Sequence, residues 1–510
     1  MLSNPQTESP QKDELDKNDL NDKLFPGDTT ARTSLTRQQI EITNRRYQDD
    51  PFWSGPKGLE YGLLLGARPY QVANLYPDAG TSYFVAWFKL PKGARLILNG
   101  QYGHLRYFSY TIAAQLGDEQ LGNGNFIADE DIHPDPGSVN PYCPNNNRNA
   151  TPRHYTLAIV NGLKPKDPKA IPPNTLYTGS VADDDTLYHL ALRNYLPDVG
   201  YDGTGNVPLD VHDDSYGLPR PAVEMNGRIY RGLEMYEILQ IEKKAQTPGS
   251  TAKDWVDRVA NVGSAPDPDR KISAPALPPE FEPFFFQRFW NTDYSANGAF
   301  ILDPEERVRT YPADPVGGLA NNPDTVYMTA TVSLAYGRVF VIKGKMPRHQ
   351  KTRHGEEHWE QDTQLRYWSA TSGGTLPSGL GWATVYDEEM PLDEHGNFTI
   401  VMSWQEDRPK NARPECGVKW LDFGNGEGHY IGARNWVNVV YMRYQHMNPN
   451  WKESPAHIPQ PTQKEPIPQD ARIMKEYYPK AKYMSKEAFE DLGSHPDVTF
   501  DLSTDHTTDS

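Results

Sequence analysis

Cysteine is almost absent from this chain: Cys143 and Cys416 are the only two in 510 residues, one in each half. That excludes a disulfide framework and leaves a single bridge open. Long apolar runs are missing as well. No stretch approaches the roughly 18 residues that a membrane-spanning helix needs, and the opening MLSNPQTESPQKDELDKNDLNDKLF has no apolar segment of the secretory-signal kind. Basic residues are outnumbered, 51 Lys and Arg against 68 Asp and Glu, for a formal charge of −17. A field of that sign repels phosphate backbones and anionic lipid, so neither nucleic acid nor a membrane surface is an expected partner. The catalytic signatures G-x-S-x-G, G-x-x-x-x-G-K-[ST], G-x-G-x-x-G and C-x-x-C are all missing. These absences describe a cytoplasmic protein without a span or a recognisable nucleotide or hydrolase motif.

What the chain has is aromatic side chains, 29 Tyr, 17 Phe and 11 Trp, and a stretch used twice. The first copy runs from Pro77-Asp78 through Tyr83, Leu90, Gly93 and Gly100 to Leu105-Arg-Tyr-Phe-Ser109. The second runs from Pro323-Asp324 through Tyr327, Leu334, Gly337 and Gly344 to Leu365-Arg-Tyr-Trp-Ser369. From the tyrosine the spacings agree: 90−83 and 334−327 are 7, 93−83 and 337−327 are 10, 100−83 and 344−327 are 17. Two copies predict a tandem pair of structural units. The second carries 16 extra residues before its Leu-Arg-Tyr, since (365−344) − (105−100) = 16. An insertion at a strand connection is expected on the surface.

Residues 1–30 are polar and aperiodic, an expected disordered tail. A helical lead over 31–75 begins behind a Ser34 or Thr36 cap, with a helix to Tyr47 and a second over Leu59–Leu65. Residues 76–215 form the first β module: Ser82–Leu90, Arg95–Asn99, Leu105–Ile112, Tyr155–Val160 and Thr186–Tyr195 read as strands between Pro- and Gly-rich turns. Residues 216–300 break that pattern. Arg231–Lys244 reads as an amphipathic helix on Leu233, Tyr236, Leu239 and Ile241, Trp255–Val262 as a helical turn, and Phe281–Trp290 as an aromatic plug between modules. A second β module over 301–450 repeats the first, with strands at Val326–Leu334, Arg338–Lys343, Leu365–Ala370, Trp382–Tyr386, Phe398–Ser403 and Val437–Tyr444. Helices at Asp470–Tyr478 and Lys486–Leu492 fall in 451–495, before a tail over 496–510. Short strands without alternating long helices predict a mainly β protein: two tandem jelly-roll-like antiparallel β-sandwich modules with peripheral helices.

Several segments carry a resemblance. Leu-Pro-Lys-Gly-Ala-Arg-Leu (90–96), Pro-Asp-Pro-Gly-Ser-Val-Asn-Pro (134–141), Asn-Thr-Leu-Tyr (174–177), Leu-Arg-Tyr-Trp-Ser (365–369), Glu-Asp-Arg-Pro (406–409) and Cys-Gly-Val-Lys-Trp-Leu (416–421) look like a family of large, uncharacterised bacterial proteins. The second half is similar to the domain of unknown function DUF1214, often preceded by DUF1254. The resemblance covers most of residues 76–445. It implies paired β-sandwich domains and no particular activity.

Candidate site residues follow from the repeat. In an extended strand Arg106 shares a face with Phe108, and Tyr107 with Ser109; Arg366 and Tyr367 repeat this. One face of each strand must look inward, and a buried guanidinium needs a carboxylate. Asp78 and Asp324, at matching positions, are the expected structural ion-pair partners of Arg106 and Arg366. The functional alternative makes Arg106, Tyr107, Arg366 and Tyr367 ligand-binding, each arginine gripping an anion. His354-Gly-Glu-Glu-His358 formally matches the zinc-peptidase pattern H-x-x-E-H, with His354, Glu357 and His358 as ligands. It lies in the polar insertion with Gly355 inside it, so a solvated loop is the expectation. Ala128-Asp-Glu-Asp-Ile-His133-Pro-Asp135 and Leu209-Asp-Val-His212-Asp-Asp214 gather oxygen ligands around a histidine, without the spacing of a calcium loop.

Two functions remain open from sequence. One is a protein or enzyme that binds a small organic molecule in an aromatic-lined cavity, with no cofactor or reaction identified. The other is a non-catalytic structural or interaction protein, a homo-oligomer built from paired jelly rolls.

Overall fold

The computed structural model describes residues 35–57, 78–116, 120–121, 125–179, 185–211, 215–241, 286–289, 324–373, 381–424, 437–459 and 470–500. Helix α1 (Arg37–Tyr47) begins in a capping box. The Thr36 hydroxyl accepts the Gln39 amide and the Gln39 side chain accepts the Thr36 amide, both at 3.1 Å.

The chain then builds a first sandwich from β1 (Ser54–Lys57), β2 (Thr81–Lys89), β3 (Arg95–Gln101), β4 (Leu105–Leu116), β5 (Gln120–Leu121), β6 (Asn125–Ala128), β7 (His154–Val160), β8 (Thr175–Tyr177), β9 (Leu187–Pro197), β10 (Arg220–Met225) and β11 (Arg228–Tyr230), followed by helix α2 (Gly232–Leu239). Its inner sheet has the order β1-β2-β9-β4-β5, with β6 also on β4; its outer sheet is β11-β10-β3-β7-β8. The second sandwich uses β12 (Gln287–Arg288), β13 (Thr325–Ser333), β14 (Val339–Lys345), β15 (Leu365–Gly373), β16 (Gly381–Tyr386), β17 (Asn397–Ser403), β18 (Lys419–Asp422), β19 (Val437–Met447), helix α3 (Asp470–Met474), β20 (Lys480–Met484) and helix α4 (Lys486–Glu490). Its inner sheet is β12-β13-β19-β15-β16 and its outer sheet β18-β17-β14-β20. The two inner sheets thus share the order β2-β9-β4-β6 and β13-β19-β15-β16, and the outer ones β10-β3-β7-β8 and β20-β14-β17-β18. The expected mainly β fold of two sandwiches is what forms. Pairing is antiparallel apart from one edge pair in each outer sheet, β7 with β8 and β17 with β18.

The repeat's last glycine has a steric reason. A Cβ on Gly100 would lie 2.5 Å from the Tyr155 ring, and one on Gly344 would lie 2.7 Å from the Phe398 ring. In both modules an aromatic of the neighbouring strand, β7 or β17, lies across the glycine of β3 or β14.

Each sandwich encloses its own core. Phe84, Phe88, Leu96, Leu98, Phe108 and Leu190 belong to the first, and Met328, Phe340, Ile342, Trp368, Ile400 and Met442 to the second. β15 is buried at every position although Arg366, Ser369, Thr371 and Ser372 are polar. Trp368 and Ala370 turn to the core, while Tyr367, Ser369 and Thr371 turn to the other sandwich. A third cluster, Tyr107, Ala128, Tyr195, Leu196, Tyr367 and Tyr386, joins the modules.

Several expectations are corrected. Residues 220–230 are strands, because β3 pairs with β10 along Asn99–Arg220 to Arg95–Glu224 and β10 buries Ala222 and Val223. Helix α2 stops at Leu239 and buries Met235 and Leu239, leaving Leu233 79 % exposed. Phe286 belongs to the second core, where its carbonyl accepts the Tyr478 hydroxyl at 2.6 Å, so it is no plug between modules. Residues 480–484, expected as a gap between helices, form the edge strand β20 on β14. Cys143 and Cys416 are unpaired. The helices expected at Leu59–Leu65 and Trp255–Val262 lie outside the described residues. Among those described, no helix is long and apolar enough to cross a membrane.

Candidate functional site

Two duplicated sheets that dock face to face bring the two copies of Leu-Arg-Tyr together, and their ions exchange partners. Arg106 does not meet Asp78. Its Nη1 donates to both carboxylate oxygens of Asp387 at 3.0 Å and to the Arg366 carbonyl at 3.1 Å. Its Nε donates to Thr352 Oγ1 at 2.5 Å, and its Nη2 reaches Glu388. Arg366 mirrors this, with Nη1 donating to Asp129 Oδ1 at 3.2 Å and Nη2 to Asp129 Oδ2 at 3.3 Å and to the Arg106 carbonyl. Asp129 and Asp387 head equivalent short 3-10 turns after β6 and β16, and each also accepts the amide two residues beyond its module's arginine, Phe108 or Trp368, at 3.0 and 2.9 Å. The arginine stands at the first turn of the strand, beyond the apolar core, so its long side chain reaches the acid of the other module. Burial pushes the Asp129 carboxyl up to about 6, against the pull of Arg366.

The aspartates that open each repeat cross over too. Asp78 accepts the Tyr367 hydroxyl at 2.7 Å, the Ser369 hydroxyl at 2.6 Å and the Arg443 guanidinium. Asp324 accepts the Tyr107 hydroxyl. Burial, and then the facing carboxylate, push both phenols far above the ordinary tyrosine range. All four expected ligand residues therefore lie at the junction, and the expected pairs Arg106–Asp78 and Arg366–Asp324 are replaced by Arg106–Asp387/Glu388 and Arg366–Asp129.

The insertion is exposed from His354 to Glu357, as a solvated loop would be, but Thr352 and His358 on either side are buried. Arg148 binds its backbone at Thr352 and Glu356, and the Arg148 amide donates to Glu357 at 3.1 Å. His358 is only 3 % exposed, stacks on Tyr142 with centroids 4.2 Å apart and faces Arg366 at 3.4 Å. Burial and the surrounding arginines hold its imidazole neutral, well below the ordinary histidine range. Trp359 donates to Glu130 Oε2 at 2.8 Å, and His446 contacts Glu130 Oε1 at 2.7 Å. His354 and His358 do not share a helix, because the 3-10 turn Thr352–His354 ends at Gly355 with φ +95°. His354 instead contacts Glu388 at 3.4 Å. Among the described residues no group of three or more His, Cys, Asp or Glu is placed to hold a metal ion. Residues 212–214 of the second acidic segment lie outside the described residues.

Beyond these pairs, the facing sheets share a polar and aromatic layer. Tyr83, Arg193 and Ser109 stand side by side across β2, β9 and β4; Tyr327, Arg443 and Ser369 do so across β13, β19 and β15. Tyr195 lies between Tyr107 and Tyr367, at 5.7 and 5.2 Å. Arg193 and Arg443 were missed in the sequence. Their signal is the seventh place of two eleven-residue strands, since 193−187 and 443−437 are both 6. Within this layer Thr81 Oγ1, Ser109 Oγ and both amide atoms of Gln445 are buried with no hydrogen-bond partner among the described residues. Buried polar atoms of a native fold are nearly always satisfied, so four orphans on two facing sheets mark a place where another molecule's polar groups, solvent included, belong.

No protein-family model and no curated protein matches this chain. Among solved structures, an uncharacterised protein from Burkholderia cenocepacia is similar, with a TM-score of 0.41 and 12 % identity over 88 % of this chain and 87 % of that one. The VPA0106 protein from Vibrio parahaemolyticus is similar with a TM-score of 0.34 and 13 % identity, over 88 % of this chain and 96 % of that one.

Proposed function

We propose that this protein binds a small organic molecule in the layer between the two inner sheets. The observation that supports it is the set of orphaned buried groups there, Thr81 Oγ1, Ser109 Oγ and the Gln445 amide, beside tyrosine faces. A ligand there meets aromatic walls, Tyr83, Tyr195 and Tyr327, and a few convergent polar groups, the composition of small-molecule sites. Tyr107 and Tyr367 border it. Arg106, each of whose three nitrogens finds an acceptor, and Arg366, whose two Nη atoms do, hold the modules together and do not touch ligand. A cytoplasmic setting fits the two unpaired cysteines, and kinship with the DUF1254/DUF1214 proteins is part of the same reading.

A second reading, a non-catalytic shell or interaction protein assembling as a homo-oligomer, draws on the saturation of Arg106, each of whose three nitrogens finds an acceptor within the chain. Native mass spectrometry of the purified chain separates the two. A retained organic mass, lost on acid denaturation and weakened in Gln445→Leu, is the expected result. An empty oligomer whose melting temperature no member of a metabolite set raises refutes the binding function and leaves the second.

A further inference from the structure

The duplication offers an internal standard for the residues of the polar layer, and the surroundings of Arg193 depart from it. Arg443 is held from several sides, among them the Ser369 hydroxyl at 3.2 Å and the Tyr327 ring, whose centroid lies 5.2 Å from its Cζ. Its guanidinium pairs with Asp78, whose carboxylate the Ser369 hydroxyl also reaches at 2.6 Å, and it lies over the Tyr441 ring with Cζ 5.7 Å from the centroid. Arg193 holds the same place in the first sandwich, opposite Ser109 as Arg443 is opposite Ser369. It is 6 % exposed, yet its one hydrogen bond among the described residues goes to Thr111 Oγ1, and no carboxylate there pairs with it. Ser109 Oγ has no partner at all among them. Asp324, which accepts the Tyr107 hydroxyl as Asp78 accepts that of Tyr367, is held by Tyr107 and Thr325. At the position of Tyr441 stands Ala191, opposite Thr111 as Tyr441 is opposite Thr371. Among the described residues, the carboxylate and the Tyr441 ring that complete Arg443 therefore have no counterpart around Arg193, although Tyr83 stands beside it as Tyr327 stands beside Arg443.

We infer that Arg193, Ser109 and Thr111 form an oxyanion subsite for a carboxylic acid with a flat apolar or aromatic body, the ligand supplying from outside what Asp78 and Tyr441 supply within the chain. This rests on the proposed binding layer and names the ligand class for it. A buried guanidinium without a counter-charge is costly, and an anion is what relieves it. The Ser109 hydroxyl and the remaining Arg193 N–H groups donate to the carboxylate. The body lies over Ala191, away from the negative Asp324 at the other end of the strand face. Arg193 is then a binding residue, unlike Arg443, which is structural.

The test uses the full chain with benzoate, phenylacetate and 3-phenylpropionate, each against its neutral amide, followed by calorimetry and saturation-transfer NMR. At least one acid binds wild type tenfold or more tightly than its amide. Arg193→Met abolishes that preference, and Ser109→Ala weakens the acid about tenfold, the loss of one charge-assisted hydrogen bond. Without ligand, Arg193→Met melts at or above wild type, while Arg443→Met melts below it. Arg193→Lys keeps the charge and part of the preference, which guards against misreading a folding defect. Acids and amides binding alike, with Arg193→Met indifferent, overturn the subsite while the broader binding function stands. Failure of all six probes, or Arg193→Met melting as far below wild type as Arg443→Met, also overturns it; a retained molecule in the native mass spectrum still decides the broader reading separately.

Discussion

Replacing Arg106 by Met tests whether the junction is held by buried charge. The substitution keeps the length of the side chain and removes the guanidinium from between Asp387 and Glu388, whose side chains are essentially inaccessible to water. Each carboxylate keeps some support: Asp387 accepts the Trp368 amide at 2.9 Å and the Glu388 amide at 2.8 Å, and Glu388 accepts the Arg353 amide at 3.1 Å. Neither keeps a buried cation. Removing one partner of a buried pair costs about 3–5 kcal/mol, because the other charge stays buried. At about 2–4 °C per kcal/mol for a unit the size of one sandwich, the transition drops by about 6–20 °C. Differential scanning calorimetry with tryptophan fluorescence measures this, and the two sandwiches should then melt separately. The control is Arg106→Met with Asp387→Asn and Glu388→Gln, which removes the stranded charges and recovers most of the loss, since a neutral substitute for a buried pair is often no worse than the pair. A loss for Arg106→Met within the roughly 0–1 kcal/mol typical of exposed pairs, or no recovery in the triple variant, refutes the reasoning.

The remaining predictions concern packing and pH. Gly100→Ala drives a methyl to 2.5 Å from the Tyr155 ring and Gly344→Ala one to 2.7 Å from Phe398, so each destabilises by about 1–3 kcal/mol in urea titrations as overpacking does; a neutral result means those rings move aside freely. His446 faces Glu130: burial pulls its pKa down, but the Glu130 hydrogen bond and charge raise it above the ordinary 6.5. Glu130, pushed up by burial, ends below the ordinary 4.5 through His446. A raised imidazole contributes stability fully below 6.5 and loses it as pH climbs through the folded value, while a depressed carboxyl contributes above 4.5 and loses it as pH falls. Asp129, raised to about 6, costs stability as pH rises through that value and is flat beyond it. The urea midpoint therefore falls between pH 6.5 and 9 in wild type and is flatter in His446→Gln; equal slopes in the two proteins refute the pairing.

The sandwiches were legible because strand patterning and the repeat are local. Leu-Arg-Tyr occurs twice, strand alternation sets which face Arg106 and Tyr107 take, and β4 and β15 form where those segments lie. What the repeat cannot carry is which copy supplies the partner. Asp78 and Asp324 each open a copy shortly before its first strand, so pairing within a copy is the simplest inference, and docking of one sheet on the other reverses it. A shared Asp-Glu doublet, Asp129-Glu130 and Asp387-Glu388, each followed by another acid, was the available signal for the true partners; it reads as a surface acidic turn because composition does not reveal whether an acid faces water or a buried arginine. The insertion misled for the same reason. Thr352, His358 and Trp359 are ordinary loop residues by composition, and each spends its polar atom or ring on the other sandwich: Thr352 on Arg106, His358 on the Tyr142 ring and Trp359 on Glu130. β10 and β20 were missed because strands of six and five residues carry too few positions for alternation to show.

Exchange of partners gives the junction a specificity that apolar contact alone lacks. The tyrosine cluster of Tyr107, Tyr195 and Tyr367 tolerates sliding, since ring faces offer no register. The ions do not. A shift by one strand position parts Arg106 from Asp387 and Arg366 from Asp129 together, leaving four buried charges unpaired where the native register leaves none of these four. The cost of that error rises with every pair, so two crossed pairs related by the duplication act as a lock on a single docking arrangement. The same logic explains why Arg193 stands apart. Pairing it with Asp324 would add a fourth crossed ion pair to those of Arg106, Arg366 and Arg443 and close the layer. Tyr107 holds Asp324, and in the proposed subsite the ligand's carboxylate meets the charge on Arg193.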